Sequence, residues 1–338
     1  MRSVVVAGHV CVDFIPELPA VAGTGPGELL EVGPLAVHAG GCVANTGGDL
    51  AALGAAVDVV GDAGADELGR LLAALLRARG TRTGQLRLLD GRSTSYSLVF
   101  EPGGQDRSFW HHVGANAGFD GSAVDLSGAD LLHVGYPSLL PALIADGGAP
   151  LAALLERART AGITTSLDLA VIDPASPAAR VDWAAVLARV LPLVDVVSPS
   201  IDDLRTALHL DAGAGRSDLR DMARMLLDLG AAIVMITAGP GGLLLGTADA
   251  ARLRDAGAMF GERSERCREW ASQELFTSPP PVEVHTTLGA GDAATAGLLS
   301  GLLEDLGPRE ALELAARTAA ARVSGEPILP HSRLTRFG

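Results

Sequence analysis

Lysine is absent from this 338-residue chain, and all 26 basic side chains are arginine. The absence excludes a Walker A lysine, a protein-kinase strand lysine and any mechanism that forms a Schiff base. Only three cysteines occur, Cys11, Cys42 and Cys267, and none has CxxC spacing. We therefore expect neither a disulfide scaffold nor a zinc site, and we expect a reducing, cytoplasmic environment.

Positive charge and long apolar runs are also scarce. The 40 acidic side chains give a net charge of −14, which argues against binding to nucleic acid or to anionic lipid. The apolar run Val4–Val6 is short for a secretory signal, and the uncharged stretch 231–248 is broken by Gly239-Pro240-Gly241-Gly242. This stretch predicts strand, turn and strand, so we expect no membrane partner.

Strand-like and helix-like segments alternate along most of the chain. Predicted strands are 4–8, 57–61, 131–134, 164–169, 194–198, 232–237 and 282–285; predicted helices are 45–53, 68–79, 151–161, 183–191, 219–229 and two that end near residue 323. This alternation predicts one α/β domain over 1–338, with a mainly parallel sheet between two layers of helices. Segments 12–38 and 92–113, the latter with a predicted hairpin, are expected to form a small separate β-sheet.

The sharpest motif is Thr286-Thr287-Leu288-Gly289-Ala290-Gly291-Asp292, between a predicted strand and a predicted helix. Glycines at a helix N-terminus leave backbone N–H groups accessible where the helix dipole is positive, which favours an anion. Asp292 would repel that anion and so is not expected to bind it. Asp292 can instead accept a proton from a hydroxyl that attacks the bound anion. A glycine turn with Asp292 as a helix cap remains the alternative, whereas a dinucleotide-binding GxGxxA motif is disfavoured because no further βαβ unit follows.

Two more glycine-rich segments carry polar side chains. Gly40-Gly41-Cys42-Val43-Ala44-Asn45 opens a predicted helix, where a ligand can approach the backbone and Asn45 can both donate and accept. Asp13 follows the first strand and can accept from substrate hydroxyls. Thr237-Ala238-Gly239-Pro240-Gly241-Gly242 lies at the carboxyl end of a strand, where open α/β sheets bind ligands. The alternative interpretation of each glycine segment is a plain turn, and that of Asp13 is a solvated loop carboxylate.

Together, in this order, the three motifs resemble the ribokinase-like, or PfkB, family of sugar and nucleoside kinases. The markers are Gly40-Gly41-x-x-Ala44-Asn45 with Leu50-Ala51-Ala52-Leu53-Gly54, then Thr237-x-Gly239-x-x-Gly242, then Gly289-Ala290-Gly291-Asp292. The resemblance covers nearly the whole chain and implies a ribokinase-like three-layer α/β fold. The small sheet would be the lid that closes over the substrate, and in many members it also supports a homodimer.

The resemblance implies an ATP-dependent kinase that phosphorylates a primary hydroxyl of a sugar or sugar-like molecule. Asp292 would be the general base, and the amides of Gly289, Ala290 and Gly291 would stabilise the transferring phosphoryl group. The remaining expected sites divide into substrate positions (Asp13, Gly40, Gly41, Asn45, Asn116 and the lid arginine Arg107) and nucleotide positions (Thr237, Gly239, Gly242, Ser200 and Asp203). Mg²⁺ would arrive with ATP, and Asp203 would order it through water.

The sequence departs from the family pattern at two places. The aspartate that usually begins the last motif is Thr286, a weaker ligand for a hard cation, so we expect little potassium dependence. The usual Asn-x-x-Glu is replaced by Ser200 and Asp203, and Asp168 is a further, weaker candidate near the phosphates. The longer segment 250–280, with Trp270 and several arginines, is a hypothetical roof over the nucleotide site or a surface excursion.

Two alternatives to a sugar kinase remain. Aromatic residues concentrate around the predicted lid, where they would suit stacking on a base in a nucleoside kinase or the core of a lid–lid dimer. The two departures would also suit a catalytically silent, ligand-binding or regulatory protein of the same fold. His111 and His112 are not expected to bind a metal together, because adjacent strand residues face opposite sides.

Overall fold

Two β-sheets organise the computed structural model, which describes residues 2–18, 25–101, 108–211 and 213–331. The strands are β1 (Ser3–Gly8), β2 (Cys11–Pro16), β3 (Leu35–Gly40), β4 (Ala56–Gly64), β5 (Arg82–Leu89), β6 (Tyr96–Phe100), β7 (Ser108–His112), β8 (Leu131–Gly135), β9 (Thr164–Leu167), β10 (Val196–Val197), β11 (Ile233–Thr237), β12 (Leu243–Thr247) and β13 (Glu274–Thr277).

Ten α-helices connect or cover these strands. They are α1 (Cys42–Ala52), α2 (Glu67–Ala78), α3 (Ala145–Thr160, regular only after residue 148), α4 (Trp183–Val190), α5 (Ile201–Leu208), α6 (Arg216–Asp228), α7 (Ala250–Arg254), α8 (Ser264–Trp270), α9 (Ala290–Leu303) and α10 (Pro308–Ser324). These helices, like the strands, are counted over the described ranges only. Short 3₁₀ turns include Gly114–Gly118, Pro137–Leu139 and Gly239–Gly241.

The central sheet has nine strands in the order β13-β12-β11-β10-β9-β8-β1-β4-β5. The seven strands β11, β10, β9, β8, β1, β4 and β5 run parallel, whereas β12 pairs antiparallel with both β11 and β13 at one edge. Along β1, Val4 and Val6 pack into one buried core, and Val5 and Ala7 pack into the other. Because both faces of the parallel strands are covered, their runs are continuously apolar, and the predicted three-layer ribokinase-like fold is confirmed.

The second sheet has the order β3-β2-β6-β7 and lies apart from the central one. The predicted hairpin is confirmed, since β6 and β7 pair antiparallel with Leu98 opposite Trp110. Strand β2 follows β1 after only two residues, so the second sheet is tied to the carboxyl end of the central sheet. We call this four-stranded sheet the lid.

The predicted strand 282–285 is wrong. These residues are exposed and unpaired in the described structure, and the strand that extends the sheet is β13 instead. Three prolines at 279–281 remove N–H donors that a ladder requires. The following amides of His285 and Thr286 donate to the carbonyl of Val323 at the end of α10, which ties this loop to a helix rather than to a strand.

The hypothetical roof 250–280 is an ordered segment whose end, at Phe276 and Thr277, lies beside Gly242 of the nucleotide motif, whereas its first half lies elsewhere. It forms α7, α8 and β13, and its first half packs at the amino ends of the parallel strands. Arg252 donates to the carbonyls of Val194 and Gly230, and the amide of Met259 donates to Thr164 at the start of β9. The glycine motifs lie at the carboxyl ends, so this part of the segment covers the opposite edge of the sheet. No helix in the described ranges is both long and apolar enough to cross a membrane.

Candidate active site

Asp292 lies at the centre of the polar groups that gather at the carboxyl edge of the sheet. It is the third residue of α9 and is 4 % exposed. Asn45 Nδ2 donates to its Oδ2 at 3.1 Å and Thr46 Oγ1 donates to its Oδ1 at 3.0 Å, both from the first half of α1. The predicted substrate motif and the predicted catalytic motif, which lie at opposite ends of the chain, therefore meet at one carboxylate.

The amino end of α9 has the geometry of an anion site. Gly289 precedes the helix in the left-handed conformation, with φ 74°, which a side chain would strain. A Cβ on Gly291 would meet no atom within 4 Å, so space is open beside its backbone. The first N–H groups of a helix have no intrahelical acceptor and lie at the positive end of its dipole. Gly289, Ala290 and Gly291 thus present that end beside Asp292.

Three buried carboxylates at this edge influence one another. Burial raises the pKa of Asp292 from its ordinary value, opposed by the hydrogen bonds from Tyr136, Asn45 and Thr46. Burial first, and then the charges of Asp292 and Asp203, hold the pKa of Asp168 well above its usual range. Burial also raises the pKa of Asp203 to about 6. Such a cluster of carboxylates is stabilised by a cation or by protonation.

Asp13 and the paired glycines form a second polar patch next to Asp292. A Cβ on Gly40 would lie 2.0 Å from Asp13 Oδ2, and one on Gly41, where φ is 82°, would lie 2.6 Å from His9 Nδ1. Glycine is therefore required at both positions because side chains press against their backbone. Burial raises the pKa of Asp13, and the charge of Asp292 adds to the effect.

Tyr136 was not predicted from the sequence, yet it contacts the central carboxylate directly. Its hydroxyl lies 2.6 Å from both Oδ1 and Oδ2 of Asp292. The ring stacks against His9 with centroids 6.0 Å apart, and His9 Nε2 lies 3.4 Å from His111 Nε2. Burial lowers the pKa of His9 to about 3 and that of His111 to about 4, so both rings are neutral at pH 7. The only available signal was position, since Tyr136 and His9 each follow a strand end.

One expected substrate residue, Asn116, bonds the protein's own backbone. Asn116 is fully buried, and its side-chain amide bonds the backbone of Val10 through both Nδ2, at 2.9 Å, and Oδ1, at 3.4 Å. This placement favours a tether between the 3₁₀ turn after the lid and the β1–β2 connection over direct substrate contact. Arg107 lies outside the described residues.

The predicted nucleotide turn follows β11. The amide of Thr237 donates to the carbonyl of Pro199, and the amide of Ala238 donates to the carbonyl of Gly242. A Cβ on Gly242, where φ is 95°, would lie 2.6 Å from the carbonyl oxygen of Thr277, whereas one on Gly239 would meet no atom within 4 Å. Gly242 therefore shapes the turn, and Gly239 leaves its outer face open.

Ser200 and Asp203 form a capping box at the start of α5. Ser200 Oγ accepts from the amide of Asp203 at 3.1 Å, and Asp203 Oδ2 accepts from the amide of Ser200 at 2.7 Å. Capping of the helix is by itself enough to explain a serine and an aspartate at these two positions, with no ligand needed. The charge of Asp203 also acts on Asp168 and raises its pKa.

The side chains of His111 and His112 face opposite sides of β7. His111 turns towards His9, and His112 bonds Ser93 at 2.8 Å on the other side of the strand. Over the described ranges, no group of three or more histidine, cysteine or acidic side chains is arranged to hold a metal ion.

Comparisons with known proteins agree with this geometry. The model of the pfkB family carbohydrate kinases matches residues 1–326. A relative from Arabidopsis thaliana named "Probable fructokinase-6, chloroplastic" is 27 % identical over 310 residues, which cover 90 % of this chain and 71 % of the relative.

Two solved structures share the fold. The PfkB protein from Polaromonas sp. superposes with a TM-score of 0.72 at 21 % identity, covering 99 % of both chains. Arabidopsis thaliana ribokinase, complexed with ribose and ATP, has a TM-score of 0.72 at 20 % identity, covering 98 % of this chain and 96 % of that one. The chain belongs to the PfkB family of carbohydrate kinases, phosphotransferases that act on an alcohol group.

Proposed function

We propose that this kinase transfers the γ-phosphate of ATP to a primary hydroxyl of a sugar or sugar-like small molecule, with Asp292 as general base. The observation that carries the proposal is the placement of one buried carboxylate beside the open amino end of α9. An acceptor hydroxyl next to Asp292 would be in line with a phosphate held by the amides of Gly289, Ala290 and Gly291. Positioning and electrostatic stabilisation supply most of the catalysis in such transfers.

The step balances without any further reactant. The hydroxyl proton passes to Asp292 while the hydroxyl oxygen forms a bond to the γ-phosphorus. The bond from that phosphorus to the bridging oxygen breaks, and its electron pair leaves with ADP. Asp13 and Asn45 would hold other hydroxyls of the acceptor, and Gly40 and Gly41 would let the acceptor approach the backbone.

ATP would lie along the edge formed by Thr237, Gly239 and Gly242. The ribokinase of similar fold that is complexed with ATP supports this donor. The carboxylates of Asp168 and Asp203 fit Mg²⁺, which is bound in many phosphotransfer sites by one or two carboxylates plus phosphates and water. When bound, Mg²⁺ neutralises charge on the phosphates. The mutual repulsion of these carboxylates is consistent with a cation between them.

The packing of the aromatic side chains in the lid favours a sugar over a nucleoside as the acceptor. Phe14 packs edge-on against Tyr96 at 6.3 Å, and Phe100 packs edge-on against Trp110 at 4.9 Å. Within each pair the rings pack edge-on and not as two parallel faces, which is the arrangement that would stack on both sides of a base. The polar lining of Asp13, His9 and His111 suits hydroxyl groups instead.

The experiment is an ADP-release assay with Mg-ATP across pentoses, hexoses, their acids and nucleosides, with wild type beside Asp292→Asn. The asparagine keeps the shape of the side chain but cannot accept the proton. A signal that depends on the acceptor and is lost in the variant supports the proposal. A protein that binds ATP but phosphorylates no member of the panel would favour the ligand-binding or regulatory alternative.

We also propose that the lid mediates a homodimer. Leu35 on β3 is 55 % exposed, and Phe109 and Trp110 on β7 are 46 % and 67 % exposed. Such apolar exposure on a small sheet is typical of a surface that another chain covers. Sedimentation of the wild type and of Trp110→Ser tests this proposal. We expect the wild type to be a dimer and the variant to have a higher dimer dissociation constant. A monomeric wild type would contradict the proposal.

A further inference from the structure

The carboxylate of Asp292 is enclosed by three hydrogen-bond donors, and the phenol of Tyr136 lies where an acceptor hydroxyl would have to bind. Oδ1 accepts from Thr46, and Oδ2 accepts from Asn45. A carboxylate offers about four lone-pair positions in total, two on each oxygen. The Tyr136 hydroxyl carries only one proton, but its oxygen lies 2.6 Å from both carboxylate oxygens and so fills the space beside the remaining position on each.

A general base must lie within about 2.6–3.2 Å of the hydroxyl whose proton it takes. One of the three donors must therefore leave Asp292 before an acceptor can bind productively. Asn45 and Thr46 are held within α1, which packs along α9. Tyr136 instead follows the end of β8, at the start of the short 3₁₀ turn Pro137–Leu139, so its side chain is the partner most easily displaced.

Tyr136 is a donor here and not a second base. Burial and the charge of Asp292 hold the pKa of its phenol well above the ordinary value, so it stays protonated. The stacked ring of His9 covers one face of the phenol. The Tyr136 hydroxyl donates to Asp292, as a substrate hydroxyl or an attacking water would have to do. It therefore occupies the position that either of them needs.

We propose that Tyr136 is a positioning residue that holds the place of the acceptor hydroxyl on Asp292 until an acceptor displaces it. While the phenol is bound, water cannot reach the base, and ATP that binds without an acceptor is protected from hydrolysis. The inference rests on the proposed role of Asp292 and adds a determinant of acceptor selectivity: only a ligand that positions its hydroxyl against both carboxylate oxygens gains access to the base.

The test is acceptor-independent ATP hydrolysis by Tyr136→Phe, which keeps the ring and removes the donor. A hydrogen bond to a charged group corresponds to a factor of roughly ten to a hundred, so we expect basal ADP formation to rise by about that factor. The KM for the best acceptor of the panel should fall. The double variant Tyr136→Phe, Asp292→Asn should lose the extra hydrolysis, because it depends on the base.

Two results would overturn the proposal: basal hydrolysis that is unchanged, or a proportional loss of both basal and acceptor-dependent rates, which would make the phenol part of the catalytic machinery. Failure of the proposed function is separate, since it would appear in the wild type as no acceptor-dependent ADP release. If Tyr136→Phe does not fold, 3-fluorotyrosine reads the contact directly, because Tyr96 is the only other tyrosine. Asp292→Asn should then shift the Tyr136 fluorine resonance and leave that of Tyr96 in place; an unshifted Tyr136 resonance would overturn the proposal.

Discussion

Asn45 on α1 donates its side-chain amide to Oδ2 of Asp292 on α9, across 3.1 Å and 247 residues of sequence. The contact fixes the orientation of the proposed base relative to the backbone of Gly40 and Gly41, from which α1 begins. It also stabilises the ionised carboxylate, which is the form that accepts a proton. The substrate and catalytic motifs are therefore parts of one arrangement.

Asn45→Ala should lower kcat with the best acceptor. Loss of one hydrogen bond to a charged group corresponds to roughly a ten- to hundredfold effect, and the base would also lose its orientation. Steady-state kinetics with acceptor and ATP varied separately check this. Thr46→Val removes the donor on the other oxygen and is expected to act in the same direction; normal kcat in both variants would contradict the role of the α1 donors.

Gly40→Ala should impair acceptor binding more than ATP binding. The added Cβ would lie 2.0 Å from Asp13 Oδ2, so the carboxylate or the turn must move. We expect a higher KM for the acceptor and little change in the KM for ATP. Gly84→Ala on β5 is the matched control, because a Cβ there meets no atom within 4 Å and the residue has no positive φ. Equal effects of the two substitutions would count against a pocket at Gly40.

The acid limb of kcat/KM should lie above the ordinary range of an aspartate. Burial raises the pKa of Asp292, and the protonated carboxyl cannot act as a base, so the rate falls as pH drops through that raised value. The charged or titratable groups that act on Asp292 or respond to it are Asp13, Cys42, Asp49, Arg79, Tyr136, Asp168, Asp203 and Arg322.

Tyr136→Phe sharpens the pH test. Because the phenol hydrogen bond lowers the pKa of Asp292, its removal should move the acid limb further towards neutral pH. A pH–rate profile of both proteins measures the shift. An acid limb that stays in place, or moves to lower pH, would show that another group controls it.

Omission of potassium should matter little. Thr286 stands where the family pattern has an aspartate, and its hydroxyl accepts from the amide of Leu288 at 3.1 Å. A neutral oxygen engaged in a turn is a weaker ligand for a hard cation than a carboxylate. Rates in sodium-free and potassium-free buffers test this, with Thr286→Asp as the variant expected to gain cation dependence. A large loss of wild-type rate without potassium would contradict the expectation.

The sequence identifies positions in the candidate site where the backbone requires glycine. The glycines at 40, 41, 289 and 242 are required by close contacts or by positive φ, so their residue type carries information. The sequence around Tyr136 gave no indication of its role. A tyrosine after a buried strand is not distinctive, and its partner Asp292 lies 156 residues away in the chain.

The differences between expectation and structure have the same origin. Residues 282–285 alternate like a strand, but a strand needs a neighbour, and β13 already forms that edge of the sheet. Segment 250–280 has charges that fit a phosphate-binding roof, yet Arg252 serves backbone carbonyls at the opposite edge. Both outcomes depend on tertiary pairing that the local pattern does not contain.

The most direct test of the account is kcat of Asp292→Asn with Mg-ATP and the best acceptor, together with ATP binding and thermal unfolding of the same protein. We predict a loss of kcat by a factor of about 10² or more, given the magnitude of general-base catalysis, with ATP binding and folding retained. A variant that turns over at the wild-type rate would remove Asp292 from the chemistry and contradict the account.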